Sequence, residues 1–542
     1  MNIASHFRLL GVAAAMALIV ACAQSTENGG TGGNNGQGGG TGTGGSGPGT
    51  GGTTGSGGTT ATGGSSATGG RGGSSATGGV NGTGGEVVAT GGRTGTGGTT
   101  GAGGSPGTGG STGGAGRGGT GGVTTGAGGA TTSCTITAQA TQSTTVPTVF
   151  TVTFTTTLSG LTGAEIDFGP ASSGPSMVAP VDLTQSNYKT LLLGMKPSTS
   201  YLYRIVAKSA AGSCTSQDYT IATGALANAP TPTVTISAAS SHDKGFIVTS
   251  SGITGTSAYI MDADGTVVWV GPSSGVPSQP SRAHLSWDAT KMYAMSINAG
   301  NNSSGKIMIQ PLDGSAATSL SGVTASHHDL TAIPGGLATP MWNSSGMDPP
   351  CSIVEFTESG TKTVALSDVG TVYASSTFHT NSIHYYARDN TYTIGDRNPN
   401  LFVKISRTGQ LIWQFGGNNP KDASKNFSGV TTWQVNHGHY LGADGTFLFF
   451  NNNANEMWNY KLNESNMTAT QVMHYTASGA VSTVLGDAQI LPNGNILVTF
   501  STGGQIHEIT SSGTLVMKIT APSGQSFGYS EFRESLYGPP PY

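Results

Sequence analysis

Met261-Asp262-Ala263-Asp264-Gly265-Thr266-Val267-Val268-Trp269 reads as an apolar strand, a tight turn ending in glycine, and a second apolar strand. The same unit returns at Ile309 to Gly314, Val354 to Gly360, Ile405 to Trp413, Tyr460 to Asn466 and Ile509 to Leu515. Gly265, Gly314, Gly360 and Gly409 follow one another at 46–49 residues, and a turn near Asn463 fills the interval before Gly513. No amphipathic helix of useful length interrupts the series. Six four-stranded units of about fifty residues predict an all-β fold whose main body, residues 230–542, is a six-bladed β-propeller. A seven-bladed ring with one degenerate blade is the alternative.

The histidines keep the same rhythm. The chain has 11 His, and six form the pairs His327/His328, His379/His384 and His437/His439. His284 stands 30 residues before Gly314, His328 32 before Gly360 and His379 30 before Gly409; His437 stands 26 before Asn463, and Asp487 26 before Gly513. A constant offset ahead of the outer hairpin puts these side chains in one layer of successive blades, most simply on the inner strands around the central channel. A single His in a strand is ordinarily structural; three pairs in phase point to a site. His437-Gly438-His439 also admits a metal pair, because alternate residues of a strand share a face. His242, His474 and His507 are read as structural.

The first 22 residues read as a leader, with a short apolar run from Leu9 to Ile19 ending in Leu18-Ile19-Val20-Ala21-Cys22. This resembles a bacterial lipobox, which makes Cys22 the lipidated residue and the membrane a partner through that anchor. Ala23, where an Asp would suggest retention at the inner membrane, leads to an expected outer-membrane location. Residues 23–132 are a Gly/Thr/Ser-rich stretch holding more than half of the 90 Gly, and no aromatic residue occurs between Phe7 and Phe150. Such a segment has nothing to build a core from and reads as a disordered tether. Charged residues make up 9% of the chain, and the formal net charge is −4. Neither suggests a nucleic-acid partner. Cys134 is expected to pair with Cys214, both lying in one predicted domain of an exported chain. Cys351 is left over and expected to be buried.

Residues 133–225 alternate in period two, as in Phe150-Thr151-Val152-Thr153-Phe154. Leu193-Gly194-Met195-Lys196-Pro197, followed by Tyr201 entering a strand, resembles the tyrosine corner of a fibronectin type III-like sandwich.

Within residues 230–542, five motifs occur in order: His328-Asp329; His379-Thr380-Asn381-Ser382; Arg397 in Gly395-Asp396-Arg397-Asn398; Leu411-Ile412-Trp413-Gln414-Phe415-Gly416; and Asn436-His437 followed by Phe450-Asn451-Asn452. Together they resemble the bacterial arylsulfotransferases, which use aryl sulfates as donors and need no nucleotide cofactor. Asn436 stands where the family has Gln, and Asn451 where it has Asp. The resemblance implies sulfuryl transfer from an aryl sulfate to a phenolic acceptor through a sulfohistidine, with no cofactor and no metal. It makes His437 the nucleophile and Arg397 the clamp on the sulfuryl oxygens, with His328 and His379 as hydrogen-bond donors or proton carriers. Asn381 would orient His379 or the sulfate. His439 is a second candidate nucleophile and His327 a rival to His328; with Asn381 and His384 they are expected to bind substrate. Two other readings stay open: a non-catalytic propeller binding a glycan or protein at the cell surface, and a metal-dependent propeller enzyme.

Overall fold

The computed structural model describes residues 134–252, 258–271, 279–296, 305–344 and 348–541. The leader, Cys22 and the glycine-rich stretch lie outside the described residues. Among the described residues the helical pieces are 3-10 turns of three residues, such as Val369–Thr371, and no helix is long and apolar enough to cross a membrane.

The alternating segment after Cys134 forms two facing sheets. Ile136–Gln142, Phe150–Thr156 and Thr190–Leu192 make one; Met177–Pro180, Leu161–Pro170, Ser200–Ser209, Gly212–Thr215 and Tyr219–Ala222 make the other. Phe150, Val152 and Phe154 turn inward onto Ile166, Phe168, Tyr203 and Ile205, as a period of two dictates. The Tyr201 hydroxyl accepts the Lys196 amide at 2.7 Å, a corner contact between strand and preceding loop. Cys134 and Cys214 form a disulfide with Cα atoms 6.1 Å apart. Cys351 is a buried free thiol.

Six further sheets form the propeller. The second to fifth blades run outward in chain order from the inner strands Pro280–Leu285, Thr331–Ile333, Thr380–Tyr386 and Asn436–Leu441. The sixth begins at Asp487–Ile490 and gains Thr233–Ile236 as a fifth, outermost strand. In the first blade the innermost strand is Glu531–Arg533, from the far end of the chain, paired with Phe246–Ser250. The ring is therefore closed by both ends of the propeller sequence. The hairpins that announced the repeat join the third and fourth strands of each blade. Their last turn residue is left-handed, as at Gly265 (φ 84°) and Gly409 (φ 80°), a conformation glycine adopts without a Cβ clash. In the fifth blade Met467 takes that role at φ 51°.

Each blade is covered on both faces, so every residue of Thr380–Tyr386 is buried. Between the fourth and fifth blades the filling is aromatic: Phe415 meets Phe447 and Tyr460 with ring centroids 5.1 Å apart in both contacts. The sandwich packs on the outer part of the first two blades. There the Thr148 hydroxyl donates to Val268 O at 2.6 Å and the Ser143 hydroxyl to Asp313 O at 2.7 Å.

Arg282, on the inner strand of the second blade, ties the ring together at its axis. Its Nε and Nη2 donate to the two carboxylate oxygens of Asp329 at 2.6 and 3.2 Å, and its Nη1 to Asp487 at 3.1 Å. Its guanidinium lies 4.5 Å over the Tyr529 ring. Asp329 also accepts the Ile383 amide of the fourth blade at 3.0 Å. Replacing Arg282 with Met strands two buried carboxylates, and the expected loss is about 3–5 kcal/mol of stability. Urea unfolding checks this, and adding Asp329→Asn and Asp487→Asn to the Met variant should recover much of the loss.

Candidate active site

The inner strands of the third, fourth and fifth blades start at one rim of the channel, and three of the phased histidines stand there. His328 precedes Thr331–Ile333, His379 precedes Thr380–Tyr386, and His437 is the second residue of Asn436–Leu441. The chain reaches these positions through unusual backbone. His328 (φ 59°) and Val435 (φ 60°), just ahead of Asn436-His437, are left-handed. For a β-branched residue this conformation is strained and survives only where its surroundings enforce it. At Val435 they do: its amide donates to Asn400 Oδ1 at 2.7 Å, and its carbonyl accepts the Asn452 amide at 2.9 Å.

Four imidazoles converge. Ring centroids lie 4.2 Å apart for His327–His328, 4.6 Å for His327–His379, 5.1 Å for His328–His379 and 5.6 Å for His328–His437. All four are buried. Burial holds His327 down to about 4 and His437 down to about 3, and holds His328 and His379 well below their ordinary value. The positive charge of Arg397 adds to the depression at every one of them. The rings are therefore neutral, with lone pairs, gathered around a guanidinium.

Neighbours select the tautomers. Asn452 gives both amide hydrogens away, to Ser482 O at 2.9 Å and Leu485 O at 2.7 Å, so its Oδ1 is left to accept from His437 Nδ1 at 2.5 Å. The proton of neutral His437 is thereby kept on Nδ1, and its Nε2 carries a lone pair with no hydrogen-bond partner among the described residues. His379 Nδ1 faces Asp348 Oδ1 at 2.5 Å, and its Nε2 lies 3.1 Å from His328 Nε2. Asp348, His379 and His328 thus form a carboxylate–imidazole–imidazole line along which a proton can be held or passed. Asp396 fixes the backbone beneath it, accepting the His379 amide at 2.8 Å and the Tyr373 hydroxyl at 2.5 Å. Burial raises the Asp396 carboxyl to about 6.

Of the residues singled out in the sequence, His327, His328, His379, Arg397 and His437 come together. Asn381 does not orient His379: its Nδ2 donates to Asn436 O at 2.7 Å and braces the strand that carries His437. His439 and His384 form a different group, with ring centroids 4.8 Å apart. Both nitrogens of His439 are held, by Ser382 Oγ at 2.8 Å and Thr393 Oγ1 at 2.6 Å, which leaves no lone pair for nucleophilic attack. The alternative of a metal pair formed by His437 and His439 on one strand face fails for a local reason. The register shifts between Asn436 and His439, and this bulge breaks the alternation. A metal could instead be offered the nitrogens of His327, His328 and His379, which lie within 4.8 Å of one another. An ion there would displace the His328–His379 contact and sit in the field of Arg397, so the residues suit an anion better.

Asp348 was not foreseen and Asn452 stood only as the end of the Phe450-Asn451-Asn452 motif with no role assigned, yet both obey a second phase of the repeat. Asp348 stands 12 residues before Gly360, Arg397 12 before Gly409 and Asn452 11 before Asn463. All three lie on the turn between the second and third strands of successive blades. Extending the search from histidine to every polar residue at a constant offset would have found them.

Residues 354–522, from the third to the sixth blade, match the family described as arylsulfotransferase (ASST). The match includes His379, Arg397, His437 and Asn452. No curated protein matches the chain. Among solved structures, the periplasmic gluconolactonase PpgL of Pseudomonas aeruginosa is 12% identical, with 68% of this chain and 99% of that one covered at a TM-score of 0.36. TolB of Acinetobacter baumannii is 9% identical, with 63% and 80% covered and the same TM-score of 0.36. Likeness at this level says nothing of what this chain does.

The neutral histidines carry a consequence for stability. Each takes up its proton near pH 6.5 in the unfolded chain but only near 3 to 4 in the fold for His437 and His327. Between these values the unfolded state binds more protons, so stability is full above pH 6.5 and is lost as the pH falls toward 4. Thermal midpoints measured across that window should fall with acidification, and His437→Gln should make the fall shallower.

Proposed function

We propose that this chain, which from residue 354 to 522 carries arylsulfotransferase-family sequence, moves a sulfuryl group from an aryl sulfate to a phenol through a covalent adduct on His437. The observation that carries this reading is the lone pair on His437 Nε2, left bare by the Asn452 contact and sharing its surroundings with Arg397. In the first half-reaction that lone pair attacks sulfur. The N–S bond forms, the S–O bond to the aryl group breaks, and the oxygen leaves with its electron pair as a phenolate. In the second, the acceptor oxygen attacks the same sulfur and the N–S bond breaks. The acceptor's hydroxyl proton passes to the His328–His379 pair, where Asp348 offsets the charge. Over a cycle the proton given up by the acceptor equals the one the departing phenolate takes. Arg397 balances the sulfuryl oxygens throughout, and burial keeps water from intercepting the adduct. Asp348 and Asn452 act as positioning residues, through His379 and His437. Lipidation at Cys22 would hold the enzyme at the envelope membrane, and loss of labelling by a radioactive fatty acid in Cys22→Ser is its test.

With a chromogenic aryl sulfate, a phenol acceptor and chelator present, phenolate release should depend on the acceptor and follow ping-pong kinetics. His437→Ala should lower kcat/KM on the order of 10⁴-fold or more. Asp348→Asn should lower kcat by roughly 10²-fold with KM little changed and should move the pH profile. Asn452→Leu should cost roughly 10–100-fold. Sequential kinetics, with no label from [35S]-donor retained on the protein, would refute the adduct.

A further inference from the structure

A cavity of about 670 Å³ opens beside the site, at the rim between the fourth and fifth blades. Its volume lies within the range of small-molecule sites, about 300–1,000 Å³. Its walls come from Asn400 and Gly416 on one blade, Asn451 and Asn453 on the other, and Gln434 on the segment leading to His437. Asn451 pairs in register with Asn436 and is followed by Asn452, which holds His437, so cavity and site share their supporting backbone.

The chemistry of the wall is specific. Six side-chain amides line it, from Asn400, Asn418, Asn426, Gln434, Asn451 and Asn453, with the hydroxyls of Thr431 and Thr432 beside them. No Asp, Glu, Lys, Arg or His occurs among the described lining residues. The scarcity of charge in the whole chain does not account for this. A second cavity of about 550 Å³, at the opposite strand ends of the same two blades, is lined by Arg388, Asp389, Lys404, Asp444, Lys461 and Glu464. The aromatic contribution comes from Trp433, Trp458 and Phe427. Both indole N–H groups are spent inside the protein, on Asn436 Oδ1 at 2.9 Å and Glu456 Oε2 at 2.8 Å, so these rings offer the cavity only carbon. Asn418, Gln434 and Asn453 are exposed. Asn426 Oδ1 has no hydrogen-bond partner among the described residues.

An anionic or cationic ligand would find no counter-charge here, and a purely apolar one would desolvate amides without replacing their hydrogen bonds. An amide offers a donor and an acceptor side by side, which matches neighbouring hydroxyls, and ring carbon suits the C–H faces between them. We infer that this cavity is a binding site for a neutral, hydroxyl-rich ligand, a short oligosaccharide, next to the sulfuryl-transfer centre. The inference does not need the transfer reaction and is tested apart from it.

The full chain carrying His437→Ala is titrated by calorimetry with maltohexaose, cellohexaose, xylohexaose and chitohexaose, so that turnover plays no part. At least one should saturate with a Kd on the order of 1 mM or tighter, and its affinity should not change as salt is raised. Adding Gln434→Ala or Asn453→Ala, both at exposed positions, should weaken it about tenfold while the thermal midpoint stays put. Failure of all four sugars to saturate in that range overturns the inference. So does binding that falls steeply with salt, or binding that both amide variants leave unchanged.

Discussion

One guanidinium on the propeller axis holds the ring in register. Arg282 of the second blade grips Asp329 of the third and Asp487 of the sixth and stacks on Tyr529, which leads into the strand that closes the first. A propeller has no core at its centre, only the inner edges of its blades. Those edges carry polar side chains, and polar groups taken out of water must be paired. Arg282 does this for two carboxylates at once, and Asp329 extends the link to the fourth blade through the Ile383 amide. Because Asp329 follows His328 directly, the same contact that joins the blades fixes the histidine beside it.

The site follows from that burial. Imidazoles in water near neutral pH are partly protonated; four of them buried together, in the field of Arg397, are not. Their neutrality gives the pocket nucleophilic lone pairs around a fixed positive charge, a combination suited to an anionic donor. Which nitrogen bears the lone pair is settled one shell further out. Asn452 can only accept from His437 because its own amide hydrogens are already committed to two carbonyls. Asp348 does the corresponding work for His379. The two supports sit on equivalent turns of the third and fifth blades, with Arg397 on the same turn of the fourth blade between them.

The histidine pairs divide into two groups because inner strands here begin with bulges. Register shifts occur between Pro280 and Arg282, between Thr380 and Ser382, and between Asn436 and His439. Each shift turns the first residues of the strand toward the rim and leaves the later ones in ordinary alternation. His437 therefore joins the rim group, while His439 packs with His384 and Phe402 between the blades.

What the sequence determined alone was the repeat and its phase. The hairpins at Gly265 through Gly513 define blades because turn chemistry and strand alternation are local, and a period of about fifty residues can be counted without knowing any contact. The same counting brings His328, His379 and His437 to one layer around the channel, and the family resemblance adds Arg397. Tertiary structure alone decided what each of them is able to do. Nothing local distinguishes His437 from His439, two residues apart; a bulge and the partners Asn452, Ser382 and Thr393 do. Nothing local marks Asp348, on an irregular turn, as the partner of His379, 31 residues away. Protonation state and tautomer depend on burial and on hydrogen bonds from other blades, and these exist only once the ring has closed.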